Sequence, residues 1–431
     1  MSKLSWAERS RLSVWHPCTQ MKWLDQDPPL SVVRASGAWL YDDQGRRYLD
    51  TISSWWVNLF GHCYPPLIEA ITQQLHTLDH VMLAGATHPP VVMLSEQLSA
   101  LTDHELGHCF YASDGASAIE IALKMSVHAW RAQGYSQKNK FITFKGGYHG
   151  ETVGALGVTS LDLFREAYQD MIRPAIEISS PDSRLGVASE TLSLQNLESY
   201  LALHHEEVAA VILEPLVQAA AGMVFHSPDY VREVAVLCRH FGVYWIADEI
   251  AVGFGRTGTL FAHERAQVRP DFLCLSKGIT GGTLPLSVVM TRDEIYRVFY
   301  RDRFQDGFLH SHSYTGNPLA CQVAVKVLQL FKEDQWIALN HVNQERWNVW
   351  IDTIRQHPRV RHFRHIGMIW AFDFDEAPPN FSRRFHEKAL SYGLLIRPIG
   401  TTVYWMPPYC LTDEEVQFMV QGILNTLDEF Q

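Results

Sequence analysis

The chain has 431 residues, 47% of them hydrophobic and 19% charged, and a formal net charge of −11. Such a composition builds a globular protein with a large core and room for two domains, and its acidity argues against a nucleic-acid partner, which selects basic surfaces. No apolar run approaches the roughly 18 residues a membrane span needs, so no membrane partner is expected.

The N-terminal stretch intersperses Lys3, Glu8, Arg9 and Arg11 without an apolar segment, so no signal peptide is expected. The seven cysteines are scattered, form no C-x-x-C, and read as reduced thiols of a cytoplasmic protein. Residues 38–50 read as a hairpin turning at Asp43-Gln44-Gly45. Trp55-Trp56 follows in an otherwise loop-like stretch and reads as a pocket wall. From Pro66 the pattern alternates between helices, at 66–78 and 115–132, and short apolar strands at 141–144, 209–213, 243–247 and 272–275. That alternation implies a mainly parallel sheet with helices on both faces. After Asn317-Pro318 come two long helical patterns to about His357, a strand at 367–374, a helix at 383–392, and strands at 394–397 and 403–406. The last helix, 412–427, opens on the capping signal Thr412-Asp413-Glu414-Glu415. The expected fold is α/β. A large domain spans 60–317, and a smaller α+β domain combines 318–431 with the N-terminal segment 1–59.

Two strand ends carry the chemistry. Val243-Tyr244-Trp245-Ile246-Ala247 runs into Asp248-Glu249, and Phe272-Leu273-Cys274-Leu275-Ser276 runs into Lys277. A lysine at a strand end is more often a solvated charge, but the apolar run before Lys277 and Gly278 after it argue for partial burial. Burial lowers an amine's pKa and suits imine chemistry. An amine beside a carboxylate is what pyridoxal phosphate requires: the amine forms a Schiff base and the acid keeps the pyridine nitrogen protonated. Asp248 alone reads equally as a metal ligand or a structural carboxylate.

Three further places fit that cofactor. Cys109-Phe110-Tyr111-Ala112 leads through Ser113-Asp114 into a helix whose first residues, Gly115 and Ala116, offer bare N–H groups to an anion. By itself this is an ordinary capped turn. Glycines flank Tyr148-His149, leaving both free to approach a flat ligand; the plain alternative is a surface turn with a packed tyrosine. Arg397, in Leu394-Leu395-Ile396-Arg397-Pro398, would meet either a substrate carboxylate or an internal acid. Two motifs mislead. Gly253-Phe254-Gly255-Arg256-Thr257-Gly258 matches G-x-G-x-x-G but lies mid-chain, far from a first βαβ unit. His104-Glu105-Leu106-Gly107-His108 matches H-E-x-x-H, yet Gly107 and the strand starting at Cys109 leave no helix to align the imidazoles, so no metal site is expected.

Taken in order, these segments resemble the class III aminotransferases, of pyridoxal-phosphate fold-type I. The signature runs Ser113-Asp114-Gly115-Ala116, Gly147-Tyr148-His149-Gly150, Glu214-Pro215, Asp248-Glu249, the glycine loop 253–258, Ser276-Lys277-Gly278 and Thr315-Gly316-Asn317-Pro318. Trp15-His16-Pro17, Ser53-Ser54-Trp55-Trp56, Asp79-His80-Val81-Met82 and Tyr404-Trp405-Met406-Pro407 are similar to the biotin-synthesis branch of that class. The resemblance implies transamination of 8-amino-7-oxononanoate to 7,8-diaminononanoate, with adenosylmethionine the expected donor, in a homodimer sharing its active sites. It implies Lys277 as the Schiff-base residue and Asp248 as the pyridinium partner. Gly115 and Ala116 would hold the phosphate, and Tyr148 would pack on the ring and touch substrate. Trp55 and Cys18 would line the substrate pocket, and Arg397 would receive a carboxylate. Ser311, His312 and Ser313 would reach across the dimer, Ser313 and the backbone at His312 to the partner's phosphate and Ser311 to substrate. The family usually has a tyrosine where Cys18 stands and glycine-proline-threonine where Ser311-His312-Ser313 stands. Both departures bear on substrate choice. An aminotransferase for another ω-amine, an aminomutase and a non-catalytic binding protein are the alternatives.

Overall fold

Apolar strands of the middle third assemble into one sheet. In this computed structural model, which describes residues 4–430, the strands are β1 (His108–Ala112), β2 (Lys140–Phe144), β3 (Ile176–Ile178), β4 (Val208–Leu213), β5 (Tyr244–Asp248), β6 (Phe272–Leu275) and β7 (Ser287–Thr291). Their spatial order is β1-β7-β6-β5-β4-β2-β3. Strands β2 to β6 pair in parallel, and β7 alone runs against its neighbours β6 and β1. Every residue of β4, β6 and β7 is buried, as a sheet covered on both faces demands. Side chains alternate between two cores. Ala210, Ile212, Ile246 and Cys274 pack under helix α1 (Gly115–Ala132), while Val211, Leu213, Trp245 and Leu275 join the larger core on the other face.

The chain's beginning and end are joined in the second layer. The hairpin Trp39–Asp42 and Arg47–Asp50 pairs in parallel with Leu394–Leu395, matching Leu49 to Leu394 and Asp50 to Leu395. A three-stranded antiparallel sheet, Val360–Ile366, Ile369–Phe374 and Thr402–Trp405, lies beyond it. The helices Trp336–Arg355, Phe381–Ser391 and Asp413–Asp428 complete this part, the last with the capping box read at Thr412 and Glu415. This is the fold-type I arrangement, α/β with a mainly parallel sheet and a smaller α+β part. The strand expected at 394–397 stops at Leu395, so Arg397 stands outside the ladder just before Pro398, which has no N–H to donate to it.

Neither misleading motif makes its usual structure. His104 lies in a turn with φ 63°, and His104 and His108 face different partners, Ser99 and Asp293. The glycine loop 253–258 is a buried turn, not the opening of a helix. Among the described residues no helix is long and apolar enough to cross a membrane.

Candidate active site

Parallel strands of one sheet deliver their C-terminal ends to the same edge, where ligands of open α/β sheets collect. Asp248 ends β5, and Lys277 follows the end of β6 by two residues in a short 3-10 turn, with a left-handed φ of 46°. Lys277 Nζ lies 4.7 Å over the Trp56 ring. Burial lowers the pKa of the amine, and the charges of Asp248 and Glu214 partly oppose that.

Asp248 is anchored from the β2 side. His149 Nδ1 donates to Asp248 Oδ2 at 2.7 Å, since a carboxylate only accepts, and Ile250 N donates to Oδ1 at 3.1 Å. Both side chains of this His–Asp pair are buried. Glu214, two positions nearer β4's end than Leu216, accepts from Tyr148 N at 3.0 Å and Ala219 N at 3.1 Å. Its burial raises its pKa to about 7, the positive influence of His149 and the negative one of Asp248 pulling in opposite directions.

The helix start at α1 is kept bare by its neighbours. Asp114 caps it by accepting from Ser117 N at 2.9 Å. A Cβ on Gly115 would come within 3.0 Å of Ile250, and one on Gly150 within 2.6 Å of the Ala116 methyl. Gly150, at φ +115°, therefore brings the turn after Tyr148 directly against the first turn of α1.

The opposite wall is a run of four consecutive non-glycine residues in left-handed backbone. Ser53, Ser54, Trp55 and Trp56 have φ of 51°, 46°, 75° and 72°. Each such residue costs roughly 1–2 kcal/mol, so the run stands only where surrounding bonds dictate it. The turn presents both indoles: Trp56 is buried over Lys277 with Nε1 donating to Tyr404 Oη at 3.0 Å, and Trp55 remains 45% exposed beneath Arg397, whose guanidinium carbon is 5.6 Å from the ring centre.

Arg397 is exposed. Tyr148 Oη donates to Glu151 Oε1 at 2.8 Å, and burial raises the pKa of the Tyr148 phenol. The pKa of the Cys18 thiol is raised by burial and by the charge of Glu151, against the opposing pull of Arg397. These residues are linked one to the next: Lys277 to Asp248 and Glu214, Glu214 to Tyr148, Tyr148 to Cys18, Cys18 to Arg397 and Arg397 to Trp55, with Gly115 and Ala116 reached through Ile250 and Gly150. Ser311, His312 and Ser313 are not part of this group within the chain. They sit in a turn closed by Thr315 Oγ1, which donates to His312 O at 2.8 Å, and Tyr314 packs against His80 at 5.3 Å.

The family model described as "Aminotransferase class-III" matches residues 22–427. The chain belongs to the class III aminotransferases. Among relatives of this aminotransferase, the adenosylmethionine-8-amino-7-oxononanoate aminotransferase of Helicobacter pylori is 40% identical over 97% of this chain and 96% of its own length. The crystal structure of the Methanocaldococcus jannaschii protein of the same name superposes with a TM-score of 0.92 at 33% identity, covering 97% of this chain and 98% of that one. An amine transaminase from an uncultivated Pseudomonas species, solved with PLP bound, reaches 0.91 at 27% identity over the same shares.

Pyridoxal phosphate is the cofactor of this class, and the residues fit it. A helix N-terminus that any side chain at 115 or 150 would crowd suits the phosphate, a buried carboxylate oriented by histidine suits a pyridinium, and an amine of lowered pKa between them suits the aldehyde. Sequence alone passed over several contributors. His149 as the partner of Asp248 was hidden because the two lie 99 positions apart. Glu151 sits next to the Tyr-His-Gly signature, but nothing in its spacing announces a bond to Tyr148. Arg256, in the glycine loop, is a buried guanidinium donating to Asn58 O at 2.8 Å and Pro407 O at 2.7 Å, so the loop ties the segment at 58 to the one at 407.

Proposed function

We propose that this aminotransferase converts 8-amino-7-oxononanoate to 7,8-diaminononanoate, a step of biotin synthesis, with adenosylmethionine as amino donor. The observation that carries the reading is the near end-to-end likeness to enzymes of that name, 40% identity over 97% of the chain in the first of them. The site supports it: an arginine over an exposed tryptophan offers a long aliphatic acid both a carboxylate partner and an apolar wall.

Bound pyridoxal phosphate supplies an electron sink for the carbanion left when the donor carbon loses its proton. The chain's residues do the rest. Lys277 Nζ, whose pKa burial lowers, takes the proton from the donor carbon and returns it on the other side, as base and then acid. Asp248, fixed by His149, would keep a proton on the cofactor's ring nitrogen. Gly115 and Ala116 would hold the phosphate with their N–H groups, and Tyr148 would pack on the ring. Arg397, Trp55 and Cys18 position substrate. The donor leaves as a keto compound and the acceptor leaves as an amine, so each amino group lost is gained.

The same reading includes a homodimer in the cytoplasm, with domain limits at 1–59, 60–317 and 318–431. Exposed apolar side chains support the dimer: Phe304 is 79% exposed, Met82 63% and Tyr314, which directly follows Ser311, His312 and Ser313, 64%. In that dimer Ser313 and the His312 backbone would meet the partner's phosphate, and Ser311 would face substrate. Cys18, in place of a tyrosine, favours a second reading, an aminotransferase for another ω-amine. Mixing the cofactor-loaded enzyme separately with adenosylmethionine, lysine and glutamate tests the assignment. Adenosylmethionine should bleach the visible absorbance of the bound cofactor, and 8-amino-7-oxononanoate should restore it. Bleaching by another amine alone, with no restoration by that acceptor, would favour the second reading.

A further inference from the structure

The left-handed turn that carries both pocket tryptophans is held by a small polar cluster behind it. Asp50 is fully buried, and its carboxylate has four donors. Ile52 N and Ser54 N reach Oδ1 at 3.3 and 2.9 Å, while Ser54 Oγ and His62 Nε2 reach Oδ2 at 2.8 and 2.9 Å. His62 is itself oriented, with Nδ1 accepting from Asn58 Nδ2 at 3.3 Å, so the proton resides on the nitrogen that faces Asp50. Asn58 Oδ1 accepts from Gly61 N at 2.7 Å, and Asn58 O accepts from the buried Arg256. Ser53 Oγ donates to Met406 O at 2.8 Å from the other side. A buried carboxylate ordered by a neutral imidazole and an amide is a rigid clamp, and the segment it clamps has no conformational preference of its own for left-handed backbone.

We infer that Asn58, His62 and Asp50 act as a positioning relay: they hold residues 53–56 in left-handed backbone so that Trp56 covers the Lys277 amine and Trp55 lies under Arg397. None of the three need touch substrate. Their effect passes through the two indoles, so loosening them should weaken substrate binding more than it slows the chemistry at Lys277, which is fixed separately by β6. The inference rests on Trp55 and Trp56 being pocket walls of the proposed aminotransferase.

The test compares His62→Ala with His62→Gln, whose amide can still donate to Asp50, and with the double variant His62→Ala/Ser54→Gly. Glycine accepts positive φ without a steric penalty, so it should relieve the need for the clamp. The readouts are hydrogen exchange of the cofactor-loaded enzyme across residues 52–58 and the separate values of KM and kcat. His62→Ala should exchange about tenfold or more faster in that segment and raise KM for the acceptor about tenfold, with kcat changed less than about threefold. His62→Gln should stay close to the parent, and the double variant should recover most of the KM. Unchanged exchange in His62→Ala, equal losses for Gln and Ala, or no recovery with Ser54→Gly would each overturn the relay. A parent enzyme that ignores 8-amino-7-oxononanoate would instead overturn the substrate reading; KM is then measured with whichever acceptor is turned over, and the exchange comparison stands unchanged.

Discussion

Glu214→Gln offers a quantitative check on the electrostatics beside Lys277. Glu214 is 4% exposed, and burial lifts its pKa from the ordinary 4.5 to about 7. Between those values the folded chain keeps a proton that the unfolded chain has lost. Stability therefore falls as pH rises from about 4.5 to 7 and is level with respect to this group above that. At about 1.4 kcal/mol per tenfold difference in proton affinity the whole interval is worth about 3 kcal/mol, and about 2–3 kcal/mol of it falls between pH 5 and 8. Glutamine cannot titrate. Its oxygen can accept from Tyr148 N or from Ala219 N but not both, since its NH₂ must face the other donor, a constant loss of about 1–2 kcal/mol. Urea unfolding of cofactor-free parent and variant at pH 5 and pH 8 separates the two effects, because the amide's loss is the same at both pH values and only the parent carries the titration of residue 214. The variant should be the less stable at pH 5 and should gain about 2–3 kcal/mol on the parent by pH 8. Identical pH dependence in the two proteins would refute the reasoning.

Arg397→Ala should raise KM for the carboxylate acceptor about 10–100-fold while the absorbance spectrum of the bound cofactor stays unchanged, as steady-state kinetics and spectroscopy would read. Gly150→Ala places a methyl 2.6 Å from the Ala116 methyl at φ +115°. It should cost about 2–4 kcal/mol in thermal unfolding and weaken cofactor binding measured by titration of the apoenzyme. Cys18→Tyr restores the family's usual residue beside Glu151 and Arg397, so kcat/KM for adenosylmethionine should hold or rise several-fold relative to that for other amines.

Local signals were strong where one face or both faces of an element are buried. The fully apolar run 272–275 became β6 with the same limits, and α1 begins at Gly115 and ends at Ala132, as its spacing and the Asp114 cap dictate. The capping box at Thr412 and Glu415 likewise needed only its own four residues. Elements without such patterns were not separable by sequence. Strand β3 has three residues, one of them an exposed glutamate, and the strand expected at 394–397 loses its second half because Arg397 turns away from the ladder. The site was legible in its ends, Asp248 and Lys277, because apolar runs that stop in a charge are conspicuous. The groups that orient them were not. His149 meets Asp248 across 99 positions, His62 meets Asp50 through a backbone conformation that serine and tryptophan do not favour, and Arg256 spends its donors on carbonyls, which no side-chain pattern records. The clearest family departures, Cys18 and Ser311-His312-Ser313, fall where the fold alone says least about substrate.

Covalent attachment of the cofactor at Lys277 underlies every role assigned to this site. Borohydride reduction of the loaded enzyme followed by peptide mass spectrometry measures it directly. The reduced pyridoxyl phosphate group should be found on the Nζ of Lys277 in the peptide that follows β6, and Lys277→Ala should carry none. Label on any other lysine, or none on Lys277 in enzyme saturated with pyridoxal phosphate, would contradict the account.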